Sequence, residues 1–192
     1  MQLLELFISS VLTNNIALGF ILGMCPLIAI STSVKNANGM GLAVVLVTTL
    51  TAVINYPIYL LLKATGTENL MLLVFMIVIA AVVQFLEIFM EKYLPDLYNN
   101  FGIFLPLITV NCIVLAVSQF FVIREYTFAQ TATFSFASGI GWWLAIVLLA
   151  GVRQRLFINS DVPRGLVGKG IVFVILGILS LAFFGFTGLK FF

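Results

Sequence analysis

The sequence predicts an all-α integral membrane protein of six transmembrane helices, arranged as two inverted three-helix repeats whose first and fourth helices are broken. Three observations lead there. Of the 192 residues, 62% are hydrophobic and 8% charged, with 19 phenylalanines and a mean hydropathy of +1.23, a composition foreign to soluble domains. Six apolar stretches separated by short polar joints fill the length, and a helix needs roughly 20 apolar residues to cross roughly 30 Å of hydrocarbon. A motif also recurs. Cys25-Pro-Leu-Ile-Ala29-Ile-Ser31 and Cys112-Ile-Val-Leu-Ala116-Val-Ser118 both read Cys-x-x-x-Ala-x-Ser.

The first stretch, Leu3 to Ser31, would span about 43 Å as one helix at roughly 1.5 Å per residue. A break near Gly19, Gly23 or Pro26 removes the excess. It does not read as a secretory signal, because residues 1 to 10 offer no basic side chain against Glu5. Nor does Met24 before Cys25 suit lipoprotein cleavage, which wants a small residue there, so the segment is expected to stay in the mature protein. Gly39 to Leu62 follows the joint Ser33 to Asn38, and Leu70 to Met90 follows the joint Lys63 to Asn69. After Glu91 to Asn100 comes Phe101 to Ile123, which carries Gly102 and Pro106 as the first stretch carries Gly19, Gly23 and Pro26. An Asn-Asn pair precedes each cysteine, Asn14-Asn15 and Asn99-Asn100. Phe128 to Val152 lies beyond Arg124-Glu125, and Gly170 to Leu189 beyond the joint Arg153 to Lys169. No linker divides the chain, so residues 1–192 are expected to form one membrane domain, with repeats of about 1–95 and 96–192. Three spans per repeat is an odd number, so equivalent helices run in opposite directions, an arrangement that places working sites at the midplane on broken helices.

Little remains outside the spans, which excludes an extramembrane catalytic domain. Nine Lys/Arg against seven Asp/Glu gives a net charge of +2, too dispersed for a nucleic-acid surface. Histidine is absent, removing the usual haem and zinc ligand and the usual proton relay. The basic residues read as topology signals. Lys35, Lys92, Arg153, Arg155, Arg164 and Lys169 lie on one side, and Lys63, Arg124 and Lys190 on the other, which predicts both termini on the non-cytoplasmic side of the membrane. The joint from Arg153 to Lys169 either anchors the chain by this rule or docks a cytoplasmic electron carrier through charge.

Measured from the proposed cytoplasmic face, Cys25 lies ten residues before Lys35 and Cys112 thirteen after Asn99. Both thiols are then about 15 to 20 Å deep, near the bilayer centre. Three readings are open: small buried side chains in a bundle, a disulfide, which a dry reducing setting disfavours, or thiolate ligands of iron. An iron site wants four sulfurs and the chain holds two, so the last reading requires another subunit. Glu87 is the one acid well inside an apolar run. It serves an ion-related role or bends outward to the interface near Lys92. Asn111 donates to a metal-bound sulfur or makes an ordinary inter-helix amide contact. Gly139 and Gly141 read as close-packing positions and Trp142-Trp143 as lipid or bundle contacts.

Gly102-Ile-Phe-Leu-Pro-Leu-Ile-Thr-Val-Asn-Cys112 resembles the signature of the NqrE/RnfA family, the membrane subunits of the sodium-pumping NADH:quinone oxidoreductase and of the Rnf complex. Leu18-Gly-Phe-Ile-Leu-Gly-Met-Cys25, Val83-Gln-Phe-Leu-Glu87, Gly139-Ile-Gly-Trp-Trp-Leu-Ala-Ile146, Ala150-Gly-Val-Arg153 and Ser160-Asp-Val-Pro163 agree with it. Met24, Val110 and Trp142 are similar to the NqrE pattern, while the short joint Lys63 to Asn69 is similar to RnfA. The resemblance implies that Cys25 and Cys112 hold half of an intramembrane [2Fe–2S] cluster, a mononuclear iron held by four cysteines being the simpler alternative. Gly23, Met24, Pro26 and Asn111 would surround it. The paralogous NqrD or RnfE type subunit would supply the other two cysteines, and further subunits would carry flavins and iron–sulfur centres. Electron flow would be coupled to sodium ion movement, without a nicotinamide site in this chain. An ion channel or transporter subunit with incidental cysteines, and a scaffold without cofactor, are the competing classes.

Overall fold

Asn15 is where the first apolar stretch stops being one helix. The computed structural model of the chain describes residues 3–93, 108–109, 111–159 and 168–185, and among these helix is the only regular structure. Helix α1 (Leu3–Ile8) loosens into a π-helical turn, Ser9–Thr13, closed by the Asn14 N–H on Ser9 O at 2.6 Å. Asn15 then caps α2 (Ile16–Gly19), its Oδ1 accepting from the N–H groups of Ala17 at 3.0 Å and Leu18 at 3.4 Å. Past Gly19 the chain turns through Ile21 (φ 56°) and Gly23 (φ 75°) before α3 (Met24–Ile30). The break expected near Gly19 or Gly23 is thus present, and a second lies upstream. Pro26 does not make it. It sits third in α3, in the first turn, where a missing N–H forfeits no intrahelical bond.

Helix α4 (Val34–Thr65) starts five residues before the expected Gly39, because nothing in Lys35-Asn-Ala-Asn38 opposes helix and the Ala37 N–H already reaches Ser33 O at 2.9 Å. It absorbs Pro57 and ends at Gly66 (φ 69°), a left-handed position that glycine adopts freely, with the Thr67 N–H returning to Leu62 O at 3.2 Å. A 3-10 turn, Glu68–Leu70, leads into α5 (Met71–Tyr93). Helix α6 (Cys112–Ile123) holds the described part of the fourth stretch; Gly102, Pro106 and the pair Asn99-Asn100 lie outside the described residues. Helix α7 (Phe128–Asn159) continues seven residues past the expected Val152, through Arg153 and Arg155, and α8 (Lys169–Phe184) begins one residue before Gly170. Among the described residues three helical segments, Val34–Thr65, Met71–Tyr93 and Phe128–Leu156, are long and apolar enough to cross a membrane, and three shorter apolar ones are Leu3–Thr13, Cys112–Ile123 and Lys169–Phe184.

The centre of the fold is the antiparallel crossing of α4 and α7. Trp143 Nε1 donates to Asn38 Oδ1 at 2.8 Å at one end, and the Tyr56 and Phe128 rings meet edge-on at 5.4 Å at the other. Between them Gly41 lies under the Trp143 ring, and Gly139 lies so close to α4 that a Cβ there would be 2.9 Å from Val45 Cα and 2.8 Å from Thr48 Oγ1. Val44, Ala52, Trp142, Ala145, Ile146 and Leu149 are fully buried around this contact. Buried hydroxyls accompany them. Thr48 donates to Val44 O at 2.8 Å, Thr51 to Val47 O at 2.7 Å and Ser135 to Ala132 O at 3.0 Å, each within its own helix. Small residues with self-satisfied hydroxyls allow the close approach on which helix packing in lipid depends.

Helix α5 packs by one stripe, Met71, Phe75, Ile79 and Val83, and leaves Leu73, Ile77, Phe85 and Ile88 exposed. Helix α8 exposes Phe173, Ile178, Leu181 and Phe184. Such surface belongs against lipid or another membrane chain.

The α4–α7 contact predicts the effect of added volume. Gly139→Ala is expected to lower stability by about 1–3 kcal/mol, the usual cost of overpacking, because the nearest atom it meets in α4 besides a threonine oxygen is backbone. Gly177→Ala, with open space around it in the interior of α8, should not lower the thermal unfolding midpoint in detergent and is expected to raise it slightly, since alanine is the better helix former by about 0.5–1 kcal/mol.

Candidate metal centre

Cys25 is the second residue of α3 and Cys112 the first residue of α6. Each thiol therefore stands in a first helical turn, where backbone N–H groups lack intrahelical acceptors. The two turns begin side by side. A Cβ built on Gly23 would lie 3.0 Å from Asn111 Oδ1 and 2.6 Å from Trp142 Nε1, so only glycine lets the start of α3 nest against the residue that precedes Cys112. Its positive φ requires glycine independently.

Trp142 holds the break in place. The ring is fully buried and its Nε1 donates to Gly23 O at 3.3 Å, adding a donor from α7 to the N-cap carbonyl at which α3 begins. The residue before it on α7, Gly141, accepts through its carbonyl from Asn15 Nδ2 at 3.0 Å. The loop between α1 and α3 is thus pinned at both ends by consecutive residues of α7.

Asn111 caps α6. Its Oδ1 accepts from the Ile113 N–H at 3.3 Å and its own N–H reaches Ile108 O at 3.1 Å. The amide Nδ2 is buried and finds no acceptor among the described residues. An unpaired buried donor costs about 1–3 kcal/mol, and a metal-bound thiolate at this place would supply the acceptor it lacks.

Both cysteines are free and exposed on the surface of the chain. On the surface of the single chain neither thiol is packed as a small side chain of its own bundle, and no disulfide joins the two. Among the described residues no three of His, Cys, Asp and Glu gather into a metal site. The donor set fits iron as one half of a tetrahedral site: two thiols at helix N-termini, an orphan amide donor and a glycine cradle, open on the side where further ligands would enter.

The remaining candidates divide. Gly23 and Asn111 adjoin the thiols. Pro26 is buried in the first turn of α3. Met24 lines an apolar cleft of about 380 Å3 with Leu18, Phe173 and Leu176, between α3 and α8. Glu87 is half-buried on α5, and no hydrogen bond or ion pair among the described residues ties it to the site. Sequence reasoning missed the roles of Trp142, taken for a lipid or bundle contact, and of Arg153, placed in a cytoplasmic joint. Arg153 instead lies on α7 and donates to α3. The Trp142-Trp143 pair carried a usable signal. Two adjacent tryptophans on one helix point about 100° apart, so they cannot share one lipid-facing stripe, and here both turn toward the protein.

The fold and the exposed thiol pair define an α-helical membrane chain organised around interrupted helices. A family model described as Rnf-Nqr subunit, membrane protein, matches residues 3–190. The Alcanivorax borkumensis protein named as the E subunit of Na(+)-translocating NADH-quinone reductase is 47% identical, with 97% of each chain covered. Proteins of the same name from Maridesulfovibrio salexigens, 45% identical with 98% of each chain covered, and Neisseria meningitidis serogroup B, 45% identical over 97% of this chain and 98% of its own, are similar throughout. The chain belongs to the Rnf-Nqr family of membrane subunits.

Trp142→Phe keeps an aromatic ring but removes the donor to Gly23 O. It is expected to cost about 1–3 kcal/mol in detergent unfolding and to speed maleimide labelling of Cys25 while leaving labelling of Cys112 near its original rate.

Proposed function

We propose that the chain is the electron-transfer membrane subunit of a redox-driven, sodium-translocating NADH:quinone oxidoreductase, and that Cys25 and Cys112 are two of four ligands to an intramembrane [2Fe–2S] cluster. The observation that carries this is the pair of free, exposed thiols on the first turns of two abutting helices, beside a buried amide with nothing to bond. The relatives named for the sodium-translocating enzyme favour that complex over its Rnf counterpart. A paralogous membrane subunit supplies the other two cysteines, across an interface that covers both thiols. Partners carrying flavins and further iron–sulfur centres deliver and remove the electrons.

In this assignment residues 1–192 form one domain of two inverted three-span repeats, with α3 and α6 as equivalent half-helices and α4 and α7, each 32 residues long, as equivalent central spans. The repeated Cys-x-x-x-Ala-x-Ser motif supports the pairing, since both copies begin in a first helical turn. The chain sits in the bacterial inner membrane with both termini on the non-cytoplasmic side.

Such a cluster supplies one-electron transfer in the membrane interior. The chain's own residues hold its charge there. With such a cluster bound, the N–H groups at the starts of α3 and α6 would offset its negative charge, Asn111 Nδ2 would have a ligand sulfur as acceptor, and Gly23 with Trp142 keeps the two starts together. Glu87, the half-buried acid of α5, is the residue assigned to the sodium-related step. The chain has no site for nicotinamide and does not turn over alone.

Iron, acid-labile sulfide and electron paramagnetic resonance of the reduced complex test the ligand assignment. Cys25→Ser and Cys112→Ser are each expected to abolish the same iron signal with the subunit still assembled. Unchanged iron in both would overturn it in favour of an ion path with incidental cysteines. For Glu87→Gln, the sodium stimulation of quinone reduction should weaken while the iron signal persists; undiminished stimulation would remove Glu87 from the ion path.

A further inference from the structure

The repeated motif ends on a serine, and the proposed function uses only the cysteine that begins it. Ser31 and Ser118 are both fully buried. Each accepts a hydrogen bond from a long helix remote in sequence. Arg153 Nη1 on α7 donates to Ser31 Oγ at 3.0 Å and to Ile28 O at 3.2 Å. Asn55 Nδ2 on α4 donates to Ser118 Oγ at 2.9 Å, and the Ser118 hydroxyl donates on to Val114 O at 3.2 Å.

The exchange is crossed. Helix α3 leads directly into α4 yet is fastened to α7, and α6 leads into α7 yet is fastened to α4. At α3 the guanidinium meets the C-terminal end, where carbonyls lack intrahelical donors and the dipole favours a cation. Within each motif the serine follows the cysteine by six positions, about 9 Å along a helix. The fastening point is therefore more than a turn beyond the thiol, at the C-cap of α3 and midway along α6, so each short helix acts as a lever that carries the thiol at its start. With Gly23 and Asn111 in contact near the pivot, the angle of each lever decides how far apart the two sulfurs stand.

We propose that Arg153 and Asn55 are positioning residues that set the separation of the Cys25 and Cys112 thiols through these crossed bonds to Ser31 and Ser118. The proposal rests on the assignment of both cysteines as metal ligands, because only a shared ligand geometry demands a fixed sulfur spacing.

The test uses the full chain purified metal-free, with bis-maleimides of graded length bridging Cys25 to Cys112. One length should bridge the original chain best. In Ser31→Ala and Ser118→Ala the yield at that length should fall several-fold and the preference should broaden, while Ser31→Thr and Ser118→Thr, which keep a hydroxyl, should restore it. Arg153→Gln, which retains a donor, against Arg153→Leu gives the same contrast from the other partner if an alanine variant does not accumulate. In the assembled complex the alanine variants should hold iron about 10- to 100-fold more weakly, as loss of groups supporting a ligand does, and shift its midpoint potential. A bridging profile unchanged in all of them overturns the proposal and leaves the bonds as helix caps. If the original complex holds no cysteine-bound iron, the proposed function fails, and the bridging profile still decides whether the bonds set the spacing.

Discussion

A backbone that leaves the helix inside hydrocarbon must find partners for the N–H and C=O groups it frees, since no water is there to take them. Much else in this chain follows from how that demand is met between Asn14 and Gly23. Asn15 answers for the N–H groups of α2 with its own amide oxygen. Trp142 answers for the Gly23 carbonyl. Both depend on α7, so the interrupted segment takes its shape only once a helix more than a hundred residues later has packed against it. The break and the central crossing are one structure.

The crossing of α4 and α7 is what makes the interruptions possible. Two 32-residue helices with glycine and hydroxyl residues at their contact approach closely enough to act as a rigid frame. The short helices α2, α3 and α6 are too brief to be stable alone and hang on that frame by specific bonds at Asn15, Asn55, Trp142 and Arg153. Rigidity is concentrated in the residues with little chemistry, and the thiols stand on the elements the frame positions.

Much of this was legible in the sequence, for physical reasons that differ from place to place. Apolar run length located the long helices, because hydrocarbon thickness is a constraint that composition must satisfy. The excess length of the first stretch announced a break, and Gly19 and Gly23 marked it. Pro26 misled because proline breaks helix interiors but opens first turns, and which turn it occupied depended on the break through Ile21 and Gly23 that starts α3 at Met24. The helix starts and ends at Val34 and Asn159 ran past their expected limits because charged and amide residues at a membrane surface are as helical as apolar ones. The exposure of Cys25 and Cys112 was not legible at all. It depends on which face of α3 and α6 turns toward α4 and α7, and that follows from contacts such as Gly23 with Asn111 that no spacing encodes. Arg153 illustrates the same limit. Charge alone assigned it to the interface, whereas its length lets it reach inward to the end of α3.

The open thiols have a consequence for biogenesis. If a partner covers the thiols as proposed, a chain that emerges from the translocon with both cysteines uncovered is open to oxidants and stray metals until that partner docks. On the proposed assignment neither subunit can mature alone, so the two must be made in matched amounts. Surplus copies carry half a ligand set that nothing completes, a lesion that membrane quality control can recognise chemically without reading the fold.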